Sequence, residues 1–121
     1  MNKYIDCSKV YIDKCDIGLG VFANQDIKEG ELIERGLLEI VKGCDGNINS
    51  HLFTWSGDRK TWASGSGCLP YYNHTDEPNI FKKGDLVNNT MEIFALKDIP
   101  KGTELRNTYF SKNWRTCFQK F

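Results

Sequence analysis

Three short phrases in this 121-residue chain hold side chains and backbone that could do chemistry. The first is Gly18-Leu19-Gly20, where two glycines let carbonyl and amide groups come close to a ligand. The second is Tyr72-Asn73-His74-Thr75, followed by Pro78-Asn79. The Asn73 amide both donates and accepts, so it can grip the amino-acid end of a zwitterion. The backbone of His74 can meet a purine edge without the ring titrating. The third is Glu104-Leu105-Arg106-Asn107-Thr108-Tyr109. A phenol at the end of a strand can orient reacting groups without ionising. Each phrase has a plainer reading. A lone Gly-x-Gly is most often a turn, and no third glycine or helix follows to make a dinucleotide fingerprint. An isolated Asn-His is most often a turn residue beside a satisfied core histidine. Trp114, near the C-terminus, suits plain packing as well as it suits covering a ligand.

The composition limits what the chain does with these groups. Its length makes one domain, with a modest core. Lys+Arg and Asp+Glu are balanced at 16 each, so no excess of positive charge favours bulk binding to nucleic acid. Hydrophobic residues at 40% and aromatics at 12% belong to a folded chain rather than a disordered one. Five cysteines, at 7, 15, 44, 68 and 117, are odd in number, scattered and without a Cys-x-x-Cys pair. That makes a poor disulfide framework and a poor zinc site, and the expectation is reduced thiols in an intracellular protein. The first residues lack an apolar signal core, and no stretch is long enough to span a bilayer. The Asn-x-Thr sequons at Asn73 and Asn88 are then read as chance.

Short strands must position the phrases. Val10-Tyr11-Ile12, Gly20 to Ala23, Leu32-Ile33-Glu34, Leu37 to Val41, Met91 to Leu96 and Leu105 to Tyr109 are brief apolar runs divided by Gly, Asn and Asp clusters. They predict a mostly β domain of small sheets. One phrase occurs twice: Asp26-Ile27-Lys28-Glu29-Gly30 and Asp98-Ile99-Pro100-Lys101-Gly102. Both read as tight turns between strands, with Gly30 and Gly102 at positive φ. From the residues alone, a favoured turn used twice is the plainer reading, beside that of a shared frame. Residues 45–67 read as a variable insert, whose Phe53, Trp55 and Trp62 suit either core or groove. Arg106, inside a strand, is expected to face solvent.

In this order and at this spacing, the three phrases resemble the SET-domain family of protein lysine methyltransferases, from about Val10 to Trp114. The short form is similar to stand-alone SET proteins of large DNA viruses and some bacteria. The family pattern Asn-His-Ser-x-x-Pro-Asn is met from Asn73 to Asn79, with Thr75 keeping the hydroxyl of Ser. The resemblance implies S-adenosylmethionine as cofactor. Gly18, Leu19 and Gly20 would lie at its methionine end, with Tyr72, Asn73 and His74 around it and Trp114 covering the adenine or closing the channel. It implies Tyr109 as the catalytic residue, with Phe53, Trp55 and Asn107 lining a channel for the target lysine. That lysine must react neutral, and an unperturbed one needs roughly 4–5 kcal/mol to lose its proton at neutral pH. An apolar channel beside a sulfonium lowers this demand. The rest is alignment for an in-line displacement, helped by weak C–H···O contacts, without a metal or a covalent intermediate.

The chain departs from the family in two places. Asn107 stands where many members have tyrosine, which leaves the number of methyl groups added open. The cysteine-rich zinc segment that many members append is absent, and Cys117 stands alone. Closure then falls to residues 110–121, with Trp114, Phe118 and Phe121, or to the second copy of a homodimer. The resemblance also implies one domain over 1–121, a SET fold of several small curved β-sheets with little helix, and a C-terminal segment threaded beneath an earlier loop. The implied substrate is a protein or peptide lysine, a histone tail among the candidates, captured as an added strand in the nucleus. Two other readings stand beside this one: a SET-like module that binds a peptide without catalysis, and a small β protein of unrelated function.

Overall fold

A computed structural model describes residues 4–43, 52–54 and 61–108. Among them the regular elements are β1 (Val10–Cys15), β2 (Gly18–Ala23), β3 (Leu32–Val41), β4 (Leu52–Thr54), β5 (Trp62–Gly65), a 3-10 turn (Leu69–Tyr71), β6 (Asn73–His74), β7 (Ile80–Asp85), β8 (Thr90–Ala95) and β9 (Glu104–Asn107). They form two sheets, one ordered β1-β2-β9-β6 and the other β4-β5-β3-β8-β7. This is the mostly β architecture of small curved sheets with little helix that the sequence implied. The described parts of the expected insert supply β4 and β5, which extend β3 into the larger sheet. The closing segment 110–121 lies outside the described residues.

Alternation explains most of the burial. Met91, Ile93 and Ala95 of β8 point inward at every second position, and Leu105 and Asn107 do so in β9. β3 breaks the rule. A bulge between Leu32 and Glu34 shifts its register against β8, and Ile33 and Glu34 are both buried although adjacent. Buried residues of both sheets, including Val21, Leu105, Ile33, Ile80 and Ile93, join in a single cluster with Leu69 and Tyr72 from the 3-10 turn region.

The repeated phrase closes the frame. Ile27 and Ile99 exchange both backbone hydrogen bonds at 2.8 Å, so one copy of the turn pairs with the other. Gly30 has φ +82 and Gly102 φ +87, the left-handed conformation that the turn reading demanded. The Gly30 N–H donates to Ala95 and the Gly102 N–H to Ala23. Each turn thereby fastens to the strand that leads into the other turn. The arrangement fixes β2 and β9 in one sheet relative to β3 and β8 in the other.

Candidate active site

The hairpin of β1 and β2 turns at Asp16-Ile17 and presents Gly18-Leu19-Gly20 at the start of β2. The Asn73 side chain closes over it. Asn73 Nδ2 donates to the Leu19 carbonyl at 2.9 Å and to Glu104 Oε2 at 3.1 Å, with Cys15 Sγ at 3.5 Å. Among the described residues its Oδ1 accepts nothing. Gly20 suits this closeness, because a Cβ there would push aside the Glu104 carboxylate and approach Asn73 Nδ2 to 3.2 Å. Two of the three sequence phrases thus meet side chain to backbone.

Arg106 corrects an expectation. It is half-buried, not solvent-facing, and donates to Glu104 Oε1 at 2.6 Å and Asp16 Oδ1 at 2.8 Å. These charge-assisted bonds, the one to Glu104 first, hold the guanidinium protonated even more firmly than usual. Arg106 compensates the negative charge that Glu104 brings up to Asn73. Cys15, Asp16 and Glu104 place a thiol and two carboxylate oxygens within 4.8 Å of one another, and the guanidinium bridges both carboxylates.

The third phrase lies directly alongside the second. β6 pairs with β9 in parallel, Asn73 opposite Arg106 and His74 opposite Asn107. The Thr75 N–H donates to the Asn107 carbonyl at 3.0 Å, and Thr108 Oγ1 returns a bond to the Thr75 carbonyl at 2.8 Å. Asn79 serves as a side-chain strand partner. Its Nδ2 donates to the Glu104 carbonyl at 2.9 Å and its Oδ1 accepts the Arg106 N–H at 3.0 Å. That double bond to one strand is the physical use of the Pro78-Asn79 pair. It brings residues 106–108 beside Asn73-His74 despite more than 30 intervening positions.

The remaining sequence-derived residues separate into three groups. Tyr109, Trp114 and Trp55 lie outside the described residues. Asn107 is 7% exposed, and among the described residues its Oδ1 is a buried acceptor without a hydrogen bond, while Nδ2 donates to the Thr108 carbonyl at 3.2 Å. An orphaned buried acceptor costs about 1–3 kcal/mol, so it calls for a partner. His74 is buried at the ring, with Nε2 2.9 Å from Asp76 Oδ1. Phe53 is half-buried, and its ring lies 4.5 Å beneath Lys82 Nζ. The Tyr72 phenol points into the core. The residue is 1% exposed and donates to Glu34 Oε1 at 2.7 Å.

Sequence reasoning missed Glu34. The residue is 1% exposed, accepts the Cys68 N–H on its second oxygen at 2.9 Å, and lies under Gly67 so closely that a Cβ there would come within 2.6 Å of it. Burial raises its carboxyl above the ordinary value; bonds from Tyr72 and Cys68 and the charge of Lys82 oppose that rise. Burial and the neighbouring carboxylate push the Tyr72 phenol well up and the Cys68 thiol up to about 12. Strict alternation from Ile33 would have turned Glu34 outward, so only knowledge of the bulge reveals it. Arg35 follows it directly, so the sequence carried no signal that set this acid apart.

This fold and this convergence of phrases are those of one family. The SET-domain model matches residues 18–110, and the chain belongs to the SET-domain family. It is 31% identical over 126 aligned positions to the histone-lysine N-methyltransferase EZH2 of Chaetomium thermophilum, covering 88% of this chain and 8% of that protein. It is 30% identical over 67 positions to an H3 lysine-37-specific histone-lysine N-methyltransferase of Schizosaccharomyces pombe, covering 55% of this chain and 44% of that one. The chain therefore spans less than half the length of either curated relative. Among solved structures, a Plasmodium falciparum protein assigned as a histone methyltransferase superposes with TM-score 0.65 at 30% identity, over 84% of this chain and 97% of that one. The Polycomb Repressive Complex 2 of Chaetomium thermophilum, in an autoinhibited conformation bound to S-adenosylmethionine, superposes with TM-score 0.69 at 26% identity, over 88% of this chain and 16% of that one.

Proposed function

We propose that this chain is an S-adenosylmethionine-dependent protein lysine N-methyltransferase acting on a histone tail in the nucleus. One observation carries the reading. The Asn73 amide meets the Leu19 carbonyl of the Gly18-Leu19-Gly20 phrase while β9 pairs alongside Asn73-His74. The residues present fit the cofactor. Gly20 leaves the space beside Glu104 and Asn73 free of a side chain, and Asn73 Oδ1 can accept from an ammonium. Gly18, Leu19, Gly20, Asn73 and the His74 backbone would hold it, and Trp114 would cover it. When bound, it supplies a methyl group on a sulfonium.

The chain's own part is to position and to exclude water. Asn107 Oδ1 accepts a hydrogen bond from the target amine, which satisfies the orphaned acceptor and orients the nitrogen lone pair. Tyr109, the catalytic residue of the proposal, would orient the same amine. Phe53 and Trp55 would line the channel with apolar surface that favours the neutral lysine. Closure of the domain would fall to residues 110–121 or to a second copy of the chain in a homodimer.

Calorimetry with S-adenosylmethionine and its demethylated product tests the cofactor, and labelled transfer to a panel of histones tests the reaction. Transfer that is lost in Tyr109→Phe supports the proposal. Cofactor binding without transfer to any histone favours the peptide-binding module, and no binding at all ends both readings. Light scattering that finds a strict monomer at working concentration removes the homodimer.

A further inference from the structure

We propose that Glu34 is a positioning residue for the cofactor site, acting through Tyr72 on Asn73. The proposal rests on the cofactor reading above and goes beyond it, since both side chains are buried in the core.

The argument begins with the segment between Gly67 and Asn73. It holds one 3-10 turn, Leu69–Tyr71, with Pro70 fixing one φ and no side-chain cap at Cys68. A turn this short has little hydrogen bonding of its own to hold its geometry. Glu34 supplies what is missing at both ends. One carboxylate oxygen accepts the Cys68 N–H at 2.9 Å, where the turn begins. The other accepts the Tyr72 phenol at 2.7 Å, where the turn has just ended. Gly67, at φ +55, lets the backbone press against the same carboxylate. Tyr72 has φ −71 and ψ 121, and the next residue is Asn73. Its ψ sets the direction in which the Asn73 backbone leaves the turn. Anchoring the Tyr72 ring in the core restricts that dihedral.

The placement is otherwise unfavourable. A core carboxylate loses its water and is raised in pKa for that reason, with Lys82 only partly offsetting the loss. An apolar side chain would suit β3 better if stability alone mattered. A buried acid bound at both ends of a segment that carries a ligand-gripping amide fits a positioning role.

Glu34→Gln and Tyr72→Phe test this by calorimetric titration of the full chain with S-adenosylmethionine. Glu34→Gln leaves one of the two donors without an acceptor, and Tyr72→Phe keeps the buried ring but removes the donor. Each variant is expected to weaken cofactor binding by about tenfold, the scale of one lost charge-assisted hydrogen bond. The double variant is expected to bind about as weakly as either single one, because both act through one bond. The KM for a lysine peptide at saturating cofactor stays unchanged. Ile99→Val, a core deletion in the paired turns, serves as a stability control and keeps the wild-type Kd. If Glu34→Gln does not fold, Tyr72→Phe decides alone. A folded Tyr72→Phe with wild-type affinity overturns the proposal, and so do effects that multiply in the double variant. Wild-type protein that fails to bind the cofactor instead overturns the function, and this proposal with it.

Discussion

Asp26 and Asp98 each cap the other's turn. Asp26 Oδ1 accepts the Lys101 N–H at 2.9 Å, and Asp98 Oδ1 accepts the Glu29 N–H at 2.9 Å. The two copies of one sequence phrase are thus structural partners, related by reciprocal bonds through Ile27 and Ile99. They hold β2 and β9, which carry Gly18 to Gly20 and Glu104 to Asn107, at a fixed distance from the β3-β8 sheet.

Gly30→Ala and Gly102→Ala test the pairing. No atom lies within 4 Å of a Cβ built at either position, so the only cost is that of the positive φ. For an alanine this amounts to about 1–2 kcal/mol. Each variant is expected to lower the melting temperature by several degrees, as that energy does for a domain near this size. Cofactor affinity at a temperature where the variant is folded should be unchanged. A larger loss at Gly30 than at Gly102, by more than about twofold in energy, would contradict the symmetry of the two turns.

Much of this frame was legible beforehand because the strands alternate. β1, β2, β8 and β9 fall where short apolar runs indicated, within a few residues at their ends. β3 was read as two runs because Arg35-Gly36 interrupts the apolar pattern, yet the strand passes straight through. β7 was not read at all, since Lys82, Lys83 and Gly84 hide a strand whose inward anchor is Ile80. The convergence of Asn73 with Leu19 and β9 came from resemblance alone. No periodicity signals a parallel two-residue strand between distant phrases. Glu34 and the Arg106 network depend on a bulge and on cross-strand partners, which pattern cannot supply.

Asn73 separates binding from folding. Asn73→Ala removes the Nδ2 donor to Leu19 and Glu104 and the open Oδ1. Cofactor affinity should fall by about 30-fold or more, the equivalent of roughly 2 kcal/mol. Asn73→Asp should do more. It sets a carboxylate against two acceptors, the Leu19 carbonyl and the Glu104 carboxylate, with Arg106 already engaged by Glu104 and Asp16. The expected result is no measurable binding and an additional stability loss of about 1–2 kcal/mol by denaturant melting. An aspartate variant as stable as the alanine variant would mean that this amide does not face the carboxylate in solution.

Asn107 is expected to trade stability for activity. Asn107→Leu removes the orphaned Oδ1 and places a side chain of similar size in an inward position of β9. It also gives up the 3.2 Å bond to Thr108, a smaller loss. Stability should rise by about 1 kcal/mol. Single-turnover methyl transfer should fall by about tenfold, with cofactor Kd unchanged, if Oδ1 orients the amine. A variant that loses stability while transferring at the wild-type rate would show that Oδ1 has a partner within the protein and none in the substrate.

The pH dependence of stability reports on Glu34 independently of any ligand. Its carboxyl is raised above the ordinary 4.5, chiefly by burial, while Tyr72, Cys68 and Lys82 draw it down and Asp6 adds a small upward push. The folded protein therefore keeps this proton to higher pH than the unfolded chain does. The associated stability is fully present below about 4.5 and is lost as pH rises through the folded value. Glu34→Gln has no such slope. Melting temperatures recorded from about pH 4 to about pH 7 should show the wild type losing ground to the variant as pH increases, whatever their order at the acid end. Parallel curves would mean that Glu34 titrates as it does in water and is not buried. If the wild type does lose ground while Glu34→Gln binds the cofactor more weakly, the buried acid lowers stability near neutral pH and improves the site, which packing alone would not produce.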